Sequence, residues 1–131
     1  HATVCMGASI GMAIGAAQAG MRPVVAMIGY STFVHSGMPS LLGAARANVD
    51  LTVLILDNGA VAMTGCQQTL ATGEQLLQIV HGLGVDPAHA HLLNAHPKEH
   101  LANLALVRRE VAWPGLSVII ANRQCVLTPK R

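Results

Sequence analysis

Three short strings hold most of the chemistry this chain can offer: Gly29-Tyr30-Ser31-Thr32, then Asp57-Asn58 at the end of an apolar run, then Ala62-Met63-Thr64-Gly65. The first two each close a run of strand length and open a polar turn. An α/β domain presents backbone amides and side-chain oxygens to a ligand in this way, at the carboxyl ends of its strands. Ser31 and Thr32 bring hydroxyls and amides suited to an anion. Asn58 brings a neutral amide oxygen, a ligand type suited to a hard cation such as Mg²⁺. Gly59 allows a sharp turn that aims the Ala60 carbonyl into the same shell, and Gly29 is read as a second position that uses glycine's backbone freedom. Either string alone is an ordinary strand-to-helix turn. Together they point to a diphosphate held through a cation.

Other reactive residues are less convergent. His81, His89, His91, His96 and His100 crowd the second half. His96 and His100 are expected on one helical face, a spacing that can hold zinc or nickel. With no cysteine or strong acid beside them, a surface or interface role is favoured. Cys66 lies near the presumed pocket with no evident cation to lower its pKa. Cys5, Cys66 and Cys125 are odd in number and far apart, so no zinc ribbon or iron–sulfur site is built from this chain alone, and a reducing, cytoplasmic compartment is expected. Glu74, Glu99, Glu110 and the Arg108-Arg109 pair read as solvated helix surface.

The elements that must position these residues alternate. A small-residue helix is predicted from Gly7 to about Ala19, with Ser9 as a first-turn hydroxyl and Gly20 as its stop. Its Gly7/Gly11/Gly15 spacing suits close packing on a sheet. A strand follows over 24–28, then a helix from Ser36 with Leu41, Leu42 and Ala45 buried. The clearest buried strand covers 51–56. A helix after Gly73 carries Leu76, Leu77, Val80 and Leu83 and ends at Gly84. A short strand is predicted near 90–93, then a helix over 97–111 with Leu101, Leu104 and Val107 inward. The Trp113-Pro114-Gly115 turn leads to a last strand over 116–121. Such alternation implies right-handed crossovers and a three-layer, doubly wound, mainly parallel α/β sheet.

Composition agrees. The 131 residues suffice for one domain and one core, read as a single domain over 1–131. With one Phe, one Tyr and one Trp, that core must be aliphatic, which suits a parallel sheet covered by helices. Only 11% of residues are charged, so other domains or subunits are expected to cover much of the surface. A net charge of +2, with scattered basic residues, excludes a nucleic-acid surface. The 6–19 stretch is too short for a membrane span and lacks a signal's basic flank. The start at His1, directly into apolar sequence, suggests a piece of a longer polypeptide.

Met6-Gly7-Ala8-Ser9-Ile10-Gly11, then Gly29-x-Ser31-Thr32-Phe33-x-His35-Ser36-Gly37, then Leu56-Asp57-Asn58 with Ala62-Met63-Thr64-Gly65-x-Gln67, closely resemble the alpha-type subunit of indolepyruvate:ferredoxin oxidoreductase, across essentially the whole chain. The resemblance implies the thiamine diphosphate-binding fold, in the domain that takes the cofactor's diphosphate end. It implies Mg²⁺ ligation by Asn58 and the Ala60 carbonyl and a diphosphate held by Ser31 and Thr32. Gly29, Met63 and Thr64 belong to the cofactor-binding motifs; Met6 and Gly7 line the cofactor rings, and His35 orients a 2-oxoacid. It also implies an oligomeric assembly with a pyrimidine-binding domain or subunit that carries the activating glutamate. Iron–sulfur clusters lie on other domains or a ferredoxin, and coenzyme A accepts the acyl group. Where the family has a metal-binding aspartate this chain has Tyr30, whose phenol is neutral and a poor ligand for a hard cation. That substitution implies weakened cofactor binding. It keeps two alternatives open: a non-catalytic scaffold of the same fold, and a thiamine-dependent decarboxylase without redox partners.

Overall fold

The structure, a computed structural model, describes residues 5–61 and 70–125. Helix α1 (Ala8–Gln18) precedes strand β1 (Val25–Gly29). The chain turns directly into α2 (Tyr30–Thr32), a π-helical turn (Phe33–Gly37) and α3 (Met38–Ala47), one continuous helical segment that starts six residues before the expected Ser36. Then come β2 (Leu51–Asp57), α4 (Glu74–Gly82), β3 (Ala90–Asn94), α5 (His100–Ala112) and β4 (Leu116–Asn122).

All four strands are parallel, in the order β1-β2-β4-β3. The two steps from β1 to β2 and from β2 to β3 run in one direction along the sheet, and the step back to β4 runs in the other. Right-handed crossovers therefore put α3 and α4 on one face and α5 on the opposite one. Contacts of α1 with α3, β1 and β2 place it with α3. The main core lies on that face, where Ile10, Leu41, Leu76 and Val80 meet Val53, Ile55, Val118 and Ile120. The central strands β2 and β4 are near-continuous apolar runs because both their faces are covered. β1 is as apolar in sequence but alternates in burial. Ala26 and Ile28 enter the core, while Val25, Met27 and, on the adjoining strand, Leu56 stay exposed where α5 does not reach.

Several expectations are corrected. Leu42 is exposed, since Leu41 and Ala44 define the inward stripe of α3 and Leu42 lies 100° from Leu41. Leu101 is 80% exposed, while Glu110, expected in solvent, is 1% exposed. Leu104 and Val107 are half-buried, α5 reaches full burial at Glu110 near its carboxyl end, and the acid is tolerated there because cationic and polar partners surround it. Ser9 does not cap α1; Gly7 stands at the N-cap without a side-chain bond. His96 lies before α5, its Nδ1 accepting from Lys98 N–H, so it shares no helical face with His100. Among the described residues no group of three or more His, Cys, Asp or Glu is placed to hold a metal.

Candidate functional site

The parallel register sets Gly29 beside Leu56, so the carboxyl tips of β1 and β2 are neighbours and the turns that follow them open at one edge of the sheet. From Gly29, in ordinary extended geometry (φ −72°, ψ 141°), the chain enters the helical segment at Tyr30. The first-turn N–H groups of such a segment have no intrahelical acceptor and attract anions. The backbone at Gly29 does not require glycine, which corrects the expectation drawn from its conformational freedom. Nothing lies within 4 Å of where a Cβ would project. A side chain would instead occupy the open space above the strand tip, which is room for a ligand.

Gly7 closes the second side. It has φ +88°, and a Cβ there would fall 2.3 Å from Ser36 Oγ and 3.8 Å from Thr32 Cγ2. Only glycine permits both the backbone and the approach. The mouth of α1 is thereby pressed against the segment that carries Ser31, Thr32 and His35. Ser36 Oγ donates to the Thr32 carbonyl (3.1 Å) within the π turn, an irregularity frequent at functional sites. Ser31 and Thr32 are half-buried, and His35 is exposed. Met6 is 69% exposed, so it forms no part of this domain's core. Met63, Thr64 and Cys66 lie outside the described residues.

The β2 turn is held by a residue to which sequence reasoning assigned no role. Asp57, 2% exposed, accepts three hydrogen bonds from three segments. Gly59 N–H of its own turn lies 3.0 Å away, Gly73 N–H before α4 2.8 Å, and Asn122 Nδ2 at the tip of β4 2.6 Å. An acid ending an apolar strand, followed by Asn-Gly, was the available signal; its distant partners were not visible. Beyond it, Asn58 Oδ1 accepts from Ala60 N–H at 3.2 Å.

The residues fit the two parts of a metal–diphosphate group differently. The Ser31 and Thr32 amides and hydroxyls and the space above Gly29 suit the anion. The cation fares worse. Tyr30 is 4% exposed and belongs to the core, Asp57 is buried and already accepts three hydrogen bonds, and Asn58 has spent one lone pair on its own turn. Mg²⁺ sites are usually built on one or two carboxylates, and this one has none to give.

At the opposite ends of the strands lies a charged cluster that the sequence had dispersed. Glu110 Oε2 accepts from His89 Nδ1 (2.9 Å), and Oε1 lies 2.9 Å from Arg109 Nε and 3.0 Å from His91 Nε2. His89 stacks on Trp113, with ring centroids 3.9 Å apart. Thr52 and Ser117 hydroxyls donate to the Glu110 carbonyl. Burial raises the Glu110 pKa, but the His89 and Arg109 hydrogen bonds and the charges of His91 and His89 outweigh it, holding the carboxyl below its usual range. His89 and His91, for which a surface or interface role was expected, are thus partners of the buried Glu110 carboxylate.

Fold and site define a parallel α/β domain in which the turns after two neighbouring strands open at one edge of the sheet. The sequence matches the thiamine pyrophosphate enzyme, C-terminal TPP binding domain family over residues 1–102, and the chain belongs to that family. It is similar to the indolepyruvate oxidoreductase subunit IorA of Archaeoglobus fulgidus, at 33% identity over 95% of this chain and 21% of that protein. It is likewise similar to the subunit of the same name from Thermococcus kodakarensis, at 31% identity over 95% of this chain and 22% of that protein. The chain thus spans about a fifth of the length of the curated relatives it matches. Among solved structures it superposes on 2-oxoglutarate:ferredoxin oxidoreductase from Magnetococcus marinus with a TM-score of 0.74 at 19% identity, covering 95% of this chain and 47% of that one. It also superposes on the thiamine diphosphate-dependent 4-hydroxybenzoylformate decarboxylase of Rhodococcus jostii, with a TM-score of 0.65 at 19% identity, covering 91% of this chain and 23% of that one. These likenesses bear out the expected fold. Among the described residues no helix is long and apolar enough to cross a membrane.

Proposed function

We propose that this chain is the diphosphate-end domain of a thiamine diphosphate-dependent 2-oxoacid oxidoreductase of the indolepyruvate type, acting as one domain of a larger assembly. The observation that carries the reading is the pairing of the β1 and β2 tips, which brings the Gly29–Thr32 and Asp57–Asn58 turns to one edge beside open space. The names of its relatives support the substrate class. When bound, thiamine diphosphate supplies a carbon nucleophile and an electron sink for decarboxylating a 2-oxoacid.

The chain's own residues bind and orient. The Ser31 and Thr32 amides and hydroxyls hold the diphosphate, and Thr64 is a further cofactor-binding residue. Gly29 keeps the strand tip clear, and Asn58 and the Ala60 carbonyl shape the second turn. Gly7 and Met6 face the rings, and Met63 is a further cofactor-binding residue. His35, exposed beside the cradle, orients the carboxylate of the 2-oxoacid. Asp57 fixes the β2 turn through its three hydrogen bonds. A pyrimidine-binding domain, an iron–sulfur domain or ferredoxin, and coenzyme A complete the assembly, which works in the cytoplasm.

The test is cofactor titration together with arylpyruvate-dependent reduction of a low-potential acceptor by the complete assembly. Cofactor binding with acceptor reduction supports the reading, and decarboxylation without reduction selects the non-redox alternative. Absence of cofactor binding selects the scaffold reading, which burial of Tyr30 in the core favours.

A further inference from the structure

We infer that this site grips the diphosphate without a protein-bound divalent cation, so that cofactor affinity is nearly independent of Mg²⁺. The inference rests on the thiamine diphosphate reading above and deepens it. From residue 1 to residue 73, the part of the chain that contains every candidate cofactor residue, the sequence has two carboxylates, Asp50 and Asp57. Asp50 lies just before β2, at the amino end of the sheet, where it pairs with Arg22. Asp57 is at the right end but is 2% exposed and committed to Gly59, Gly73 and Asn122. Tyr30 follows Gly29 directly, yet it belongs to the buried core cluster. A neutral phenol there adds no charge. The remaining oxygens are Asn58 Oδ1, already accepting from Ala60 N–H, and the carbonyl of Ala60, itself 5% exposed.

Electrostatics gives the consequence. Where a carboxylate faces a diphosphate, the two anions repel, and a dication is needed between them. Here the cradle presents backbone amides and hydroxyls, and Asp57, the one carboxylate at this end of the sheet within residues 5–61, is buried and turned to its own hydrogen bonds. The anion meets a neutral-to-positive surface directly, and the dication has nothing on the protein side to bridge.

The experiment is calorimetric titration of the natural, complete assembly with thiamine diphosphate, once with excess Mg²⁺ and once with EDTA. Dissociation constants within about threefold of each other are expected, and a loosening of about tenfold or more in EDTA overturns the inference while keeping the cofactor reading. No binding in either condition removes the cofactor reading and this inference with it. A second readout uses Mn²⁺ with the cofactor-saturated assembly. Its electron paramagnetic resonance spectrum is expected to remain that of the aqueous ion, and stoichiometric loss of that signal overturns the inference.

Discussion

Glu110→Gln is the sharpest probe of what holds the α5 face together. The carboxylate has no exposed side-chain surface, and it is approached by His89, His91 and Arg109. A hydrogen bond to a charged group is worth about 1.5–3 kcal/mol. The two histidines are sheltered at 17% and 19% exposure, whereas Arg109, at 64%, is screened by solvent and contributes about 0.5 kcal/mol at most. Glutamine keeps one acceptor but turns an amide donor toward a second donor, so about 3 kcal/mol is lost, the lower end of what breaking a buried ion pair costs. For a domain of this size that lowers the melting temperature by roughly 10 °C. The single tryptophan, Trp113, stacked on His89, reports unfolding by fluorescence in urea. The pH dependence carries a definite sign. The folded-state pKa of Glu110 is depressed, so its contribution is present above the usual carboxylate pKa of about 4.5 and fades as pH falls below it. The gap between wild type and variant therefore narrows from pH 5 toward pH 3. A loss under about 1 kcal/mol at neutral pH, or a gap constant down to pH 3, refutes the reasoning.

Asp57→Ala strands three donors and is expected to cost about 3 kcal/mol or more in urea unfolding, with cofactor binding lost in calorimetry. Gly7→Ala places a methyl 2.3 Å from Ser36 Oγ at φ +88°, costing about 1–2 kcal/mol from backbone strain alone. Adding Ser36→Ala recovers the clash but not the strain, so a double-mutant cycle shows positive coupling. Tyr30→Ala empties a core position and lowers stability by about 3 kcal/mol in thermal unfolding. Tyr30→Asp destabilises too, but in a folded preparation it creates a Mg²⁺ dependence of cofactor affinity of about tenfold or more; affinity unchanged by Mg²⁺ counts against the electrostatic account.

Much of the fold was legible because its signals are local. The apolar runs that became β2 and β4 are long enough to be strands buried on both faces, and the glycines near 20, 73 and 84 punctuate the helices. The strand-tip turns were visible for the same reason, since Gly29 through Thr32 and Asp57-Asn58 sit where hydrophobicity breaks off. What escaped depends on partners far away in sequence. Glu110 read as solvated because helical periodicity cannot register that His89 and His91 come to meet it. Asp57 gave no hint of Asn122, 65 residues later. The uncovered side of β1 was equally hidden, because an apolar strand looks alike whether one face or both are packed.

The clasp around Glu110 and the turn at Asn58 lie at opposite ends of β2. Six residues of extended chain from Thr52 to Asn58 separate them by about 20 Å, beyond the range at which substitutions usually couple. The stability contributed at the Glu110 end is thus adjustable without disturbing the grip at the other. Lineages descended from this sequence can drift at one extremity, gaining or forfeiting robustness, while the other continues unaltered.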